Sequence, residues 1–304
     1  MLQRMDLCDG KLLPGDTERG NVHIYIHPDE QERRHLAETL KLDEHTLASA
    51  LDPDELARLE FEPDHLAVIL KRPRNYSSQD RFVFKVASCG LFLFADKLVI
   101  VLSEDVPLFQ GKLFARVASL PDLFLRMIYG SIVHFIEHLR VINAVSDSLE
   151  EQINTSMHNK YLLSLFSLEK SLVYYLNAIN SNGKLIERLK VSAAKIGFAP
   201  ESIEFLDDML IENGQCYEQA EIYSNILASM MDARVSIVSN NLNLLIKTLT
   251  IITIGIMLPT LVTSIFSMNV DFPYMRHPAT FWVILALAGA SVALVRWVWW
   301  WKRW

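Results

Sequence analysis

Cysteine is scarce: Cys8, Cys89 and Cys216 are the only three in a chain of 304 residues. They lie far apart and form no CxxC pair, which excludes a disulfide framework and a ribbon-type zinc site and suits a reducing compartment. The N-terminus, Met1-Leu2-Gln3-Arg4-Met5-Asp6, lacks the apolar region of a secretory signal, so the front of the chain is expected in the cytoplasm. Proline is missing between Pro200 and Pro259, which permits one unbroken helix there. Internal repeats and low-complexity segments are absent too. Charge is missing from two stretches, the 23 residues Thr248–Val270 and the 18 residues Pro278–Val295.

Those two uncharged stretches dominate the reading. Each is long enough to cross about 30 Å of hydrocarbon as a helix. The chain is 51% hydrophobic with a mean hydropathy of +0.18, which fits a soluble part followed by a small membrane part. The second stretch runs into Arg296-Trp297-Val298-Trp299-Trp300-Trp301-Lys302-Arg303-Trp304. Tryptophans beside cations describe an interfacial belt on a cytoplasmic face. Both termini are therefore expected inside, with two passes through the inner (plasma) membrane and contact with lipid.

Charge is unevenly placed. Residues 244–304 carry five basic side chains against one acid, a net of +4, so the −7 of the whole chain leaves −11 on residues 1–243. An acidic soluble part disfavours nucleic acid as a partner and favours cations.

Short β-branched or aromatic runs at Val22–Ile26, Leu66–Lys71, Phe82–Val86, Gly90–Phe94 and Lys97–Leu102 predict strands of one sheet. Helical patterns at Asp29–Leu40 and Glu44–Leu51 lie between the first two. After Pro121 the period changes: Asp122–Asn159 and Lys160–Ile179 carry apolar residues at three- and four-residue spacing, and Asn182-Gly183 predicts a turn. Pro200 then opens a helix that can run to Phe266, on the order of 100 Å. The expected class is α+β, a cytoplasmic α/β domain with a long stalk helix continuing into two transmembrane helices. Its divisions are 1–120 for the sheet domain, 121–243 for the stalk, 244–270 for the first span, 271–277 for a periplasmic loop, and 278–304 for the second span and tail.

The first span is not uniformly apolar. Asn243, Ile246, Thr250, Thr253, Met257, Thr260, Ser264 and Ser267 recur every three or four residues and share one face. Hydroxyls and amides inside a membrane face protein or water, so this face either lines an ion pathway or binds a neighbouring helix. Two spans cannot enclose a pathway, so a pore requires a homo-oligomer. The span closes on Ser267-Met268-Asn269 at the start of a very short loop, which favours a pathway over an anchor.

A rival pattern is His134-Phe135-Ile136-Glu137-His138, the HxxEH spacing of a zinc peptidase helix. It has no recognisable third ligand, and two partly exposed helix histidines are the simpler expectation. The chain is read as not an enzyme.

Asn240-Asn241-Leu242-Asn243 through Lys247, then Met257-Leu258-Pro259-Thr260, then Met268-Asn269, resemble the CorA family of magnesium transporters, the two-span Gly-Met-Asn proteins. The resemblance is dense from Asp232 to Val270. It implies a homopentameric funnel, with Mg²⁺ both transported and regulatory. It also implies a selectivity filter of Ser267, Met268 and Asn269, with the Asn269 carbonyl meeting a hydrated cation. By the same resemblance Leu249 and Met257 stand at a hydrophobic gate, Ile246 where methionine is frequent, Thr260 at a polar ring, and Asn243 at an amide ring near the cytoplasm. Asp208 stands where a carboxylate holds regulatory Mg²⁺ between subunits. One departure is Ser267, where the family motif has glycine. Similar proteins carry Zn²⁺, Co²⁺ or Ni²⁺, some with apparent proton coupling, so those ions, or a non-conducting assembly, remain open.

Overall fold

Alternation along three central strands builds the first part of the molecule. In the computed structural model, which describes all residues except 16–19, 75–82, 110, 156–158, 269–277 and 302–304, seven strands form one sheet. They are β1 (Leu2–Cys8), β2 (Lys11–Pro14), β3 (Val22–Ile26), β4 (Arg58–Phe61), β5 (His65–Pro73), β6 (Val86–Phe94) and β7 (Leu98–Leu102), in the order β2-β1-β3-β7-β6-β5-β4. β3 and β7 pair in parallel; the other neighbours are antiparallel.

Successive side chains leave a strand on opposite faces, so the sheet carries two cores. Leu66, Val68 and Leu70, with Cys89, Leu91, Leu93 and Leu98, Ile100, Leu102, join the core of α3 (Leu120–Thr155) and α4 (Asn159–Val191). Ala67, Ile69, Phe92, Val99 and Val101 join the core of α2 (Glu44–Leu51) and of α1 (Glu30–Arg34), which continues as a π-helical turn over His35–Thr39. Asp29 and Asp43 cap these two helices, Asp43 accepting from the Thr46 N–H at 2.8 Å.

Helix α2 sits very close to the sheet. A Cβ on Gly90 would lie 2.7 Å from the Ala50 Cβ and 2.8 Å from the Phe92 ring. Gly90 is thus in the middle of a strand and not at its start: in place of the expected strands Phe82–Val86 and Gly90–Phe94 there is one strand, Val86–Phe94. Phe84 lies outside it and Phe82 outside the described residues. Strands β1, β2 and β4 went unpredicted.

Asn182-Gly183 is not a turn but the interior of α4. Strand β4 ends opposite Ile69, so Lys71 has no strand neighbour on that side. The Asn182 amide takes its place: its oxygen accepts from the Lys71 N–H at 2.9 Å and its nitrogen donates to the Lys71 carbonyl at 2.7 Å. Gly183 leaves room for Asn213, whose Nδ2 would stand 2.8 Å from a Cβ there and donates to the Ile179 carbonyl at 3.1 Å. A short α5 (Ala193–Ile196) ends at Gly197, where φ is +81°. Helix α6 (Pro200–Phe266) starts where Pro200 predicts, and α7 spans Thr280–Trp301. The chain divides into two compact units, Met1–Met231 and Asp232–Trp304.

Candidate functional site

The second unit consists of the C-terminal part of α6 and of α7, both long and apolar enough to cross a membrane. Two stripes in this unit are partly covered. On α6 they are Lys247, Ile251, Gly255, Leu258, Val262 and Phe266; on α7, Thr280, Ile284, Ala288, Ser291 and Val295. Each recurs every three or four residues, the signature of one helix face turned to a partner. Between the helices lies a groove of about 590 Å³, bordered by Ile251 and Leu258 of α6 and by Leu294, Val295 and Val298 of α7.

At 3.6 residues per turn, Asn243, Ile246, Leu249, Thr250, Thr253, Met257, Thr260, Ser264 and Ser267 fall on the side of α6 roughly opposite its covered stripe. All of them are exposed, Leu249 by 66% and Met257 by 63%. Asn243, Ile246 and Thr250 also border the groove.

The hydroxyls on this face bond within their own helix. Thr250 and Thr253 donate to the Ile246 and Leu249 carbonyls at 2.8 Å, and Thr260 donates to Ile256 at 2.7 Å. With the proton engaged inward, each oxygen presents only acceptor lone pairs outward. That is the chemistry a cation or its water shell requires. Among the described residues, none of these hydroxyls bonds to α7, so they do not join the two spans.

Helix α6 passes through Pro259. The residue four before it, whose carbonyl loses its donor and meets the ring, is Gly255. At the C-terminal end the Ser267 N–H donates to the Thr263 carbonyl at 3.1 Å, and Ser267 and Met268 are exposed. Positive φ among the described non-glycine residues occurs at Asp9, His27 and Lys41. Ser267 therefore turns with ordinary angles and does not need the glycine of the family motif. Asn269 and the loop 271–277 lie outside the described residues.

In the first unit Asp208 is exposed on α6, and among the described residues no cation pairs with it. Its neighbour Asp207 pairs with Lys190. One turn on, Glu212 accepts from the Tyr129 hydroxyl at 2.9 Å. Burial, then Glu212, then Asp208, push that hydroxyl's pKa up.

The histidine pair differs from its expectation. His138 is buried, not partly exposed, with Nδ1 2.7 Å from the Tyr175 hydroxyl and its ring 4.4 Å from that of His134. Glu137 points outward, and among the described residues no three His, Cys, Asp or Glu side chains gather as a metal site. Burial first, and the nearby Arg72 charge after it, push His134 down to about 4. Burial, His134 and Arg72 push His138 down to about 3.

Both rings are therefore neutral in the folded protein, while the unfolded chain binds protons near pH 6.5. Their stability contribution is full above 6.5 and is lost as pH falls toward their folded values. Thermal melts from pH 7 to 4 should show a falling melting temperature, each histidine contributing at most about 1.4 kcal/mol per pH unit. His134→Gln should flatten that limb; an unchanged slope would exclude His134 from it.

The family described as CorA-like Mg2+ transporter protein matches residues 22–303. The Cobalt/magnesium transport protein CorA of Methanocaldococcus jannaschii is 24% identical over 271 residues, covering 86% of this chain and 83% of its own. The complete structure of the CorA magnesium transporter from the same organism superposes with a TM-score of 0.79 at 19% identity, covering 98% of this chain and 96% of that one. The full-length CmaX protein superposes with a TM-score of 0.73 at 14% identity, covering 100% and 97%.

Proposed function

Because the chain belongs to the CorA-like Mg2+ transporter family, we propose that it is a homopentameric channel of the inner membrane that admits Mg²⁺ passively. The observation that carries this reading is the exposed polar face of α6, most of which lies away from the partly covered stripe while Asn243, Ile246 and Thr250 border the groove beside α7. Five copies would bring that face around one axis, leaving the α7 helices as the outer ring against lipid. Both termini are then cytoplasmic, and the loop 271–277 is periplasmic.

The parts are those the family resemblance implies, and ligand chemistry suits them. Mg²⁺ holds its water shell tightly, so the Asn269 amide oxygens of five subunits would first engage the hydrated ion. The Thr260, Thr253 and Thr250 hydroxyl oxygens then offer hard acceptors that suit Mg²⁺ better than softer metals. Met257 and Leu249 would form the narrow apolar gate, and Asn243 and Ile246 the cytoplasmic exit. The membrane potential drives inflow with about 4.6 kcal/mol for a divalent ion at 100 mV. The cytoplasmic unit closes the gate when Mg²⁺ bridges Asp208 to a neighbouring subunit. Loss of that Mg²⁺ frees the acidic units to repel.

Liposomes holding the intact oligomer test this. Mg²⁺ influx should follow an imposed potential, inside negative, and Co²⁺ should compete more strongly than Zn²⁺. Influx that needs a proton gradient would exclude passive conduction, Zn²⁺ preference would change the ion, and no divalent influx would leave a non-conducting assembly.

A further inference from the structure

A cavity of about 580 Å³ opens in the first unit between the sheet and α3. Leu70 and Arg72 of β5, Cys89 of β6, Met127 and His134 of α3, and Phe114 of the segment after β7 line it. Its size lies within the range of small-molecule sites, about 300–1,000 Å³.

Arg72 is the anomaly. The period of two that sends Val68 and Leu70 to the α3 face sends Arg72 there too, where the pattern calls for an apolar side chain. Among the described residues no carboxylate lies at ion-pair distance from it, and its guanidinium makes no hydrogen bond to them. The acid whose charge reaches it, Glu104, accepts from Arg74 through Oε2 at 2.6 Å, and its Oε1 is buried without a hydrogen bond to the described residues. Burial disfavours the charge on Arg72, yet an arginine keeps its proton in a protein. A half-buried, unpaired guanidinium beside an apolar cavity is costly unless an anion meets it.

Two of the neighbouring groups, His134 and Lys112, favour the same sign. His134 is neutral, has no hydrogen bond to the described residues, and supplies one ring N–H. Exposed Lys112 also lines the cavity, as does exposed Glu137, which limits how much negative charge is welcome. A metal cation at His134 and His138 would be disfavoured by the Arg72 charge.

We propose that this cavity binds a small organic oxyanion, a carboxylate or phosphate monoester on an apolar body, whose oxygens are held by Arg72 and His134. The planar guanidinium matches a two-oxygen edge, and Leu70, Met127 and Phe114 cover the apolar part. The site lies wholly within the first unit.

Titration calorimetry and thermal melts of the full-length protein in detergent test it, with phenyl phosphate, benzoate and inorganic phosphate as probes. At least one organic probe should bind at one site per chain and raise the melting temperature by about 3 °C at saturation. Whichever of the two binds more tightly identifies the head group. Inorganic phosphate, lacking the apolar body, should bind at least about tenfold more weakly. Arg72→Met should weaken the organic probe at least about tenfold.

If that variant does not fold, Gly130→Met serves instead. A Cβ at Gly130, on the cavity wall, meets Leu113 and Phe114 at an ordinary 3.7 Å, so a longer side chain there takes up cavity space and leaves Arg72 in the sequence. Failure of both organic probes at millimolar concentration overturns the proposal. So does unchanged binding in a folded variant, or inorganic phosphate binding as tightly as phenyl phosphate.

Discussion

Asn269→Ala should reduce Mg²⁺ influx to the leak of protein-free liposomes. In the proposed pentamer this substitution removes five amide oxygens at once from the outer mouth. Those oxygens contact the waters of the incoming ion, and a methyl group offers no replacement acceptor. Mg²⁺ dehydrates reluctantly, so a mouth that cannot hold the hydrated ion presents the apolar gate at Met257 with an ion it has no means to retain. Ser267→Gly is the matched control. Ser267 turns with ordinary angles, so restoring the family glycine should leave influx unchanged. Influx that survives Asn269→Ala would place selection further down α6, at the threonine rings. A protein impaired by Ser267→Gly would show that the serine hydroxyl itself belongs to the mouth.

How far the sequence could be read depended on the range of the forces involved. Strand β3 and helix α2 were legible to the residue, because a β-branched and aromatic run and a helical apolar period are local signals. The polar face of α6 was legible for the same reason: it is a period along one helix. Its most useful property, that it lies opposite the stripe covered by α7, was not, since that depends on where another helix packs. The strands at the two edges, β2 and β4, and β1 beside one of them escaped detection. Leu2–Cys8 is interrupted by Arg4 and Asp6, and Arg58–Phe61 has four residues. Gly90 was read as the start of a strand and not its middle, because the reason for a glycine there, the pressing of Ala50 on the sheet, lies 40 residues away in sequence. Arg72 gave no signal at all; only the cavity in front of it marks it out. The family resemblance supplied site residues that periodicity could group but not assign, and for Asn269 it remains the sole basis.

Asn182-Gly183 was the plainest failure of local reading, and it carries the second large effect. Asn182→Leu should destabilise the protein by about 2–6 kcal/mol, since two buried main-chain groups each lose a partner at about 1–3 kcal/mol. Leucine keeps the approximate volume and the helix, so the loss isolates the hydrogen bonds. The Lys71 N–H and carbonyl cannot turn to another strand, because β4 has ended opposite Ile69. Asn182 is fully buried, and water has no open path to replace it. The Lys71 side chain is equally committed, its ammonium donating to the Pro53 carbonyl at 2.6 Å and the Ser88 hydroxyl at 3.0 Å. With total stabilities of about 5–15 kcal/mol for a domain, the sheet and α4 should separate at far lower denaturant. Chemical denaturation followed by tryptophan-independent circular dichroism measures this, as all six tryptophans lie in residues 282–304. A loss under about 1 kcal/mol would mean that a water bridges Lys71 in place of the amide, and that Asn182 fixes the position of α4 without holding it there.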